Sequence, residues 1–374
     1  MPHSCNLAAP VPATSAAAGT RVAAIVLAGG RGTRLHELTD TLCKPAVPFL
    51  GENRIIDFTM GNLCRSGFGA ATVATQYRAA PLHGHLRRTW SDRIALRLRH
   101  GPTVTGRREG SRGTADAVRI LMDEIDASGA RELLVLAADH VYRMDYRDLI
   151  ADHRRRHASV TVAVDLVPRA TASAFGVLAA DPGGRISRFV EKPANPPGCA
   201  GDPSRSMVSM GLYVFDWAWL RAHLAQVPEA LDFGHDILPV AVTEGRAIVH
   251  APGRARPFYW RDVGTLDGLL DAALDFASDT PPFPLPRPLR PAQMRLRDRH
   301  HGIVDSLLMP RTMVSEGALL SRCIVAPGSV LPFGTRIGVD AGRDAQFYRC
   351  SGRGTVLVTP EMIRDAAPRA GARA

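Results

Sequence analysis

The sequence predicts an α/β protein: a mostly parallel sheet with helices on both faces, followed by a short C-terminal parallel β-helix. Three observations carry this. Strand-like apolar runs alternate with helix-like runs from about residue 21 to 278, the pattern of parallel strands joined by crossover helices. The stretch TPPFPLPRPLRP, residues 280–291, then interrupts regular structure, because proline at this density makes a stiff, extended linker. Beyond it Leu307, Met313, Leu319, Val325, Leu331 and Ile337 recur at every sixth position, with Pro310, Gly317, Gly328 and Gly334 between them. A period of six with small turn residues predicts coils in which each flat face sends one side chain inward, here about two coils.

The elements follow in order. Residues 1–20 are rich in Ala, Pro, Ser and Thr, with no basic start and no Leu-rich stretch, so they read as a disordered tail and not as a secretion signal. Residues 22–27 read as a buried strand that breaks into glycines. Residues 71–75 and 132–137 are two further strands. Between them Ala117, Ile120, Leu121 and Ile125 fall at helical spacing over 114–125. Residues 147–157 read as a helix and SVTVAVDLV, 159–167, as a strand. The expected organisation is a tail at 1–20, an α/β domain at 21–278, a Pro-rich linker at 279–298, and the hexapeptide β-helix with a C-terminal tail at 299–374.

Composition narrows the function classes. The 374 residues are 45% hydrophobic, enough for a sizeable core. No apolar run approaches the roughly 18 residues of a membrane span. The six cysteines are scattered, with no CxxC pair, which suggests reduced thiols in the cytoplasm without a disulfide frame or a zinc site. The net charge of +10 fits either a solvated Arg-rich surface or an affinity for phosphorylated molecules. The basic runs at Arg93–Arg99 and Arg154–Arg156 fall on expected helices without interleaved aromatics, which speaks against a nucleic-acid face. Of the 46 basic residues only Lys44 and Lys192 are lysine. An ammonium is a compact point charge where a guanidinium is wide and planar, so these two positions mark sites that need a small cation against an oxygen anion.

Ligands of such sheets sit beyond the carboxyl ends of strands, and three motifs fall there: LAGGRGTRL (27–35), Asp139-His140, and Glu191-Lys192-Pro193. The first lacks the ending of a P-loop and the GxGxxG spacing. Gly29, Gly30 and Gly32 nonetheless let backbone N–H groups approach a ligand, and Arg31 and Arg34 offer charge to phosphate oxygens. A plain turn would explain the glycines but not the arginines or the Lys44-Pro45 that follows.

LAGGRGTRL, KPAVPF, RIIDF, RGTADAV, FVEKP, SMGLYVF and WRDVGT, in this order, resemble the signature of the nucleoside-diphosphate-sugar pyrophosphorylases. Among them the chain is most similar to the branch that acts on ATP and glucose 1-phosphate. The likeness runs from about 21 to 278 and resumes at FYRCSGRGTVLVTPEM, 347–362. It implies a Rossmann-like nucleotidyltransferase domain followed by a left-handed β-helix. It also implies Mg²⁺-dependent formation of ADP-glucose and pyrophosphate for glycogen or other α-glucan synthesis. In that likeness Asp139 and Asp262 correspond to the metal carboxylates. Such a pair from separate segments can hold one hard cation that also bridges triphosphate oxygens. Arg31, Arg34 and Lys44 correspond to the groups on the triphosphate. Leu27, Ala28, Gly29, Gly30, Gln76, Gly113 and Thr114 fall on the nucleotide side. Gly176, Glu191, Lys192, Ser209 and Tyr213 fall on the sugar-phosphate side. The resemblance also implies a homo-oligomer, a tetramer, although the short β-helix weakens that carry-over.

Local readings compete with several of these roles. Asp139 could be an ordinary strand-end turn residue, Asp262 the N-cap of a helix over 264–270, and His140 reads as structural. The sequence also departs from the family pattern. Ala138 stands where a glycine usually precedes the metal aspartate, Leu50 replaces a glycine, and Ser111 replaces an aromatic. Thr41-Leu42 replace basic residues and the segment 98–111 is short. These departures bear on allosteric control more than on catalysis. The alternatives are a non-catalytic regulatory subunit of the same fold, or an enzyme using UTP, dTTP or GTP. An acyltransferase built on the hexapeptide coils, with His300 or His301 as its base, and a nucleic-acid binder have less behind them.

Overall fold

The computed structural model describes residues 14–15, 21–252, 258–288 and 302–366. The chain divides into two compact units. The first comprises Met1–Gly29, Met60–Ala138 and Met144–Phe258, the second Gly30–Thr59, Asp139–Arg143 and Tyr259–Ala374. The expected tail lies outside the described residues except for Thr14 and Ser15, which pair antiparallel with Val22 and Arg21. The linker beyond residue 288, His300, His301 and residues 367–374 also lie outside them.

In the first unit strand Arg21–Ala28 runs parallel to Glu132–Ala137 on one side and to Ala70–Thr75 on the other, with Ala95–His100 beyond at the edge. The long strand Arg205–Asp216 is antiparallel to both Glu132–Ala137 and Val160–Pro168, and Ala247–His250 adds in parallel to the latter. The hairpin Gly176–Ala180 and Ile186–Glu191 pairs onto Arg205–Asp216. Leu133, Leu134, Val135 and Leu136 are all fully buried, as expected for a strand covered on both faces, whose sequence is a continuous apolar run.

Two sequence expectations change here. The helix expected over 114–125 is two helices, Thr114–Arg119 and Met122–Ser128. Leu121 N donates to Val118 O at 2.9 Å, a tighter turn that brings Val118, Leu121 and Ile125 into the same core. The basic run at Arg93–Arg99 is not helical: after helix Ala79–Trp90 it forms the edge strand Ala95–His100. Leu96 and Leu98 alternate with Arg97 and Arg99, a period of two, and both arginines pair with Glu124.

The second unit has its own core. Leu35, Leu38, Val47, Phe49 and Phe58 pack with helix Leu266–Phe276 and with Leu307, Ile324 and Leu357 of the hexapeptide strands. Phe283, from the proline-rich stretch, inserts its ring edge-on against Phe276 at 4.9 Å and Phe58 at 6.0 Å. The start of that stretch is therefore anchored to the core. Leu50, the departure from the family pattern, is 2% exposed and fills this core.

The hexapeptide strands stack in parallel, consistent with a left-handed β-helix. Ile303 pairs with Leu320 and Leu320 with Ile337, Leu307 with Ile324, and Val314 with Leu331. Each step is 17 residues, one short of three hexads. The strict six-residue frame therefore slips within a coil. Leu307, Val325, Leu331 and Ile337 are buried as expected, but Met313 is 65% exposed and Leu319 yields its inward place to Ala318 and Leu320. Helix Ala341–Phe347 is inserted before Val356–Val358 resumes the stack on Cys323–Val325.

Candidate active site

The candidate residues fall into two groups, one in each unit. In the second unit the glycine-arginine loop is tied to itself. Leu35 N donates to Gly32 O at 2.8 Å and Lys44 N to Gly30 O at 3.3 Å. Thr39 Oγ1 donates to Gly32 O at 3.1 Å or His36 O at 3.0 Å. Gly32 has φ 74°, and a Cβ there would lie 2.7 Å from Lys44 Cβ, so both backbone conformation and close approach demand glycine. A Cβ on Gly30 would meet nothing within 4 Å among the described residues. Arg31 and Arg34 are exposed.

Lys44 is the centre of this group. Its side chain is 5% exposed, and its Nζ lies 3.1 Å from Asp139 Oδ2 and 2.8 Å from Asp262 Oδ1. Arg34 Nη2 stands 3.5 Å from Asp262 Oδ2. Two carboxylates thus face an ammonium and a guanidinium, and their formal charges cancel. Burial by itself would lower the Lys44 pKa, but the pull of Asp139 and Asp262 outweighs it and the ammonium is held above its ordinary value. Burial would raise both carboxyls, yet Lys44 and His140 hold Asp139 well below the usual carboxylate range, and Asp262 below it too.

Local chain geometry makes this possible. Strand Trp260–Asp262 pairs antiparallel with His140–Tyr142, placing Asp262 opposite His140. The helix that follows is Leu266–Phe276, and its cap is Thr265, which accepts from Gly268 N at 3.1 Å. Asp262 is therefore not the N-cap, and its carboxylate faces Lys44 instead. Nor is Asp139 a plain turn residue, since its carboxylate takes the same ammonium. Two oxygen-donor side chains that converge on one cation suit a hard divalent ion sharing its remaining positions with water and phosphate oxygens. Among the described residues no group of three His, Cys, Asp or Glu side chains is placed to hold a metal ion.

In the first unit Glu191 is the corresponding centre. Lys192 Nζ lies 3.1 Å from Glu191 Oε1, with the lysine side chain 65% exposed and its backbone at φ 45°. A Cβ at Gly176 would lie 2.9 Å from Glu191 Oε2 and one at Gly234 2.5 Å from the same atom, so two bare backbone positions make room for this carboxylate. Strand Arg205–Asp216 is irregular between Ser209 and Tyr213. There Ser209 Oγ lies 3.1 Å from Tyr213 OH and accepts from Gly211 N at 3.2 Å. Burial pushes the Tyr213 phenol up, and Glu191 and Asp232 add to the effect, so it keeps its proton.

Thr114 Oγ1 donates to Asp232 Oδ2 at 2.9 Å and accepts from Phe233 N at 2.9 Å. Gly113 lies so close to Leu231 that a Cβ would come 2.3 Å from its carbonyl oxygen. Gln76 is held at both ends of its amide: Ser111 N and Oγ donate to its Oε1 at 3.1 and 2.6 Å, and its Nε2 donates to Ser111 O at 3.0 Å. Ser111, a departure from the family pattern, is thus what orients Gln76. Leu27 and Ala28 end the first strand, Ala138 N donates to Leu27 O at 3.3 Å, and Gly29 backs onto Gln76, whose Cβ a methyl would meet at 3.2 Å.

Three contributors were missed from sequence. A Cβ at Gly264 would lie 2.8 Å from Arg34 Nη2, 2.9 Å from Asp262 Oδ1 and 3.0 Å from Lys44 Nζ, so its bareness makes room for the ion cluster. The segment around Asp232–Gly234 buttresses both Thr114 and Glu191. His140, set aside as structural, has Nε2 3.6 Å from Asp139 and 3.9 Å from Asp262. Gly264 could have been found, since a glycine two residues after a candidate metal carboxylate is a close-approach signal; the partners of residues 232–234 are set by tertiary packing.

A glycine- and arginine-rich loop, an ammonium set between two carboxylates, and a mostly parallel α/β sheet are the parts expected of a phosphate-handling transfer enzyme. The nucleotidyl transferase family model matches residues 23–279, and a GlmU-like C-terminal hexapeptide model matches residues 293–358. A glucose-1-phosphate adenylyltransferase of Jannaschia sp. (strain CCS1) is 36% identical, over 90% of this chain and 95% of its own length. One from Cereibacter sphaeroides (strain ATCC 17029 / ATH 2.4.9) is 37% identical over 93% and 96%. One from Paraburkholderia phytofirmans (strain DSM 17436 / LMG 22146 / PsJN) is 37% identical over 91% and 96%. The chain belongs to the nucleotidyl transferases, and among them to the family of these glucose-1-phosphate adenylyltransferases. Among the described residues no helix is long and apolar enough to cross a membrane, and Cys43, Cys64, Cys199, Cys323 and Cys350 are free thiols.

Proposed function

We propose that this chain transfers the adenylyl group of ATP to α-D-glucose 1-phosphate, releasing pyrophosphate and forming ADP-glucose for glycogen or other α-glucan synthesis. The observation that carries the reading is Lys44 held between Asp139 and Asp262, with Arg34 beside them, in a chain whose relatives bear that name. A phosphate oxygen of glucose 1-phosphate attacks the α-phosphorus. The bond from that phosphorus to the α–β bridging oxygen breaks, and pyrophosphate leaves with the electron pair. The attacking oxygen is already ionised, so neither a general base nor a covalent nucleophile is required; positioning and charge stabilisation do the work.

The residues divide this labour. Asp139 and Asp262 would hold Mg²⁺, which when bound would supply positive charge against the triphosphate. Lys44 keeps both carboxylates ionised and presents its ammonium to phosphate oxygens near the α-phosphorus. Arg31 and Arg34, exposed on the loop, grip the departing β- and γ-phosphates. Leu27, Ala28, Gly29, Gly30, Gln76, Gly113 and Thr114 receive the nucleotide. Glu191, set against Gly176, accepts from sugar hydroxyls; Lys192 takes the sugar phosphate, and Ser209 and Tyr213 line that end. The same reading puts the reaction in the cytoplasm, and the resemblance alone supports a homo-oligomer.

The test is pyrophosphate release with glucose 1-phosphate, Mg²⁺ and each of ATP, UTP, dTTP and GTP. Release with ATP is the expected result. Release with another nucleotide alone refutes the substrate, and release with none supports the regulatory-subunit reading.

A further inference from the structure

The C-terminal hairpin, far from the loop in sequence, reaches two segments of the ion cluster within the second unit. Strand Arg349–Cys350 pairs antiparallel with Val356–Val358, which itself stacks on Cys323–Val325 of the coils. The hairpin turn is built on Ser351. Its Oγ accepts from Arg353 N at 3.2 Å and Thr355 N at 3.0 Å, and donates to Asp267 Oδ1 at 2.7 Å. Thr355 Oγ1 donates to the same oxygen at 2.6 Å, and Arg353 Nη1 to Asp271 Oδ2 at 2.8 Å. Asp267 and Asp271 lie on helix Leu266–Phe276, which begins four residues after Asp262. On the other side Arg349 reaches the glycine-arginine loop: its Nη2 and Nε donate to Glu37 Oε1 at 2.6 and 3.2 Å. Glu37 lies three residues beyond Arg34, in the helical turns Thr33–Thr39.

We propose that this hairpin is a brace for the phosphate-handling cluster, and that Arg349 is a positioning residue that sets the Arg31–Arg34 loop through Glu37 while Ser351 and Thr355 hold the Asp262 segment through Asp267. The inference rests on the adenylyl-transfer reading for its kinetic consequence, but its structural content does not. Glu37 Oε2 is buried without a hydrogen-bond partner, so Arg349 alone among the described residues satisfies this carboxylate from outside its own loop. Removing Arg349 leaves a partly buried carboxylate uncompensated, which the loop relieves by moving outward. The pair is too exposed to matter much for global stability: Arg349 is 49% and Glu37 27% exposed at the side chain, the class of ion pair worth little to folding. Its effect is local geometry: a loop that moves outward meets the triphosphate less closely, which weakens the charge-assisted contacts that Arg31 and Arg34 offer to ATP.

The experiment compares the full-length protein with Arg349→Ala, Arg349→Lys, Glu37→Ala, the double alanine variant, and the charge swap Glu37→Arg with Arg349→Glu. Amide hydrogen exchange of peptides covering residues 30–44 is the first readout. It is expected to quicken in Arg349→Ala, to stay near wild type in Arg349→Lys, and to return toward wild type in the swap. The second readout is pyrophosphate release. The KM for ATP is expected to rise about tenfold in Arg349→Ala with the KM for glucose 1-phosphate unchanged, and the double alanine variant to be no worse than either single one. Unchanged loop exchange in Arg349→Ala overturns the brace, as does an equal rise in both KM values or a double variant that sums the two singles. A wild-type protein inactive with every nucleotide would instead overturn the adenylyl-transfer reading, and the exchange data would still decide the brace.

Discussion

Replacing Gly264 with alanine should slow catalysis about tenfold while leaving the fold nearly intact. The methyl group would lie 2.8 Å from Arg34 Nη2, 2.9 Å from Asp262 Oδ1 and 3.0 Å from Lys44 Nζ. Ordinary contact begins at about 3.5 Å, so the cluster must open by roughly 0.5–0.7 Å. Arg34 can swing away into solvent, but Lys44 and Asp262 are held by each other and by Asp139. A shift of about 1 Å in catalytic geometry costs on the order of 100-fold, so about tenfold in kcat is the expectation here. The backbone at 264 does not lie in the left-handed region, so alanine adds no backbone strain there. Crowding costs about 1–3 kcal/mol, offset by about 0.4–1 kcal/mol from a stiffer unfolded chain. The net loss is about 1 kcal/mol, a few degrees or less in melting temperature. Pyrophosphate release at saturating ATP and a thermal melt read the two effects separately. A kcat within twofold of wild type would refute the claim that this glycine exists to clear space for the ions.

Three further outcomes follow from the same cluster. Lys44→Arg keeps the charge but not the shape, and against Gly32 the wider guanidinium cannot take both carboxylates; kcat should fall about 10²–10³-fold, and a near-normal rate would show that charge alone suffices. Asp139→Asn should abolish turnover with an unchanged circular-dichroism spectrum and a cooperative melt, and wild-type rates would remove Asp139 from the metal role. The folded pKa values of Asp139 and Asp262 are depressed below an unfolded value of about 3.9. Their stabilisation is thus complete above that value and lost as pH falls through the folded values. Lys44 is raised above about 10.4, so its share is present below that and lost at higher pH. Melting temperature against pH should therefore fall less steeply below about pH 4 in Asp262→Asn, and an acid limb identical to wild type would contradict the pairing.

Much of this was legible in residue order. The alternation of apolar runs foretold a mostly parallel sheet, since each buried strand must read as a continuous apolar segment. Along the main path of seven strands among the described residues, Arg205–Asp216 runs against its neighbours, and Ile186–Glu191 of the appended hairpin runs in the same sense as it does. The edge strand Ala95–His100 was misread because its arginines suggested a solvated helix, whereas the leucines between them keep a period of two. The hexapeptide frame was sound in kind but wrong in phase. Coils of 17 residues cannot keep a strict repeat of six, so Met313 stacks on Val330 and turns out to solvent with it, while the buried Leu331 stacks on Val314. Ser111, which looked like a defect, supplies the bonds that orient Gln76.

Residue order by itself singled out a glycine-arginine loop and two lone lysines as groups suited to an oxygen anion, because glycine lets the backbone approach closely and an ammonium is a compact point charge; the two aspartates were singled out by the family resemblance. Tertiary structure alone decided that Lys44 would stand between Asp139 and Asp262 and that Arg349 would answer Glu37. Those are pairings over 95, 218 and 312 positions. The energy of such pairings depends on distances and burial that come into being only when separate segments are packed together, so no local pattern encodes them.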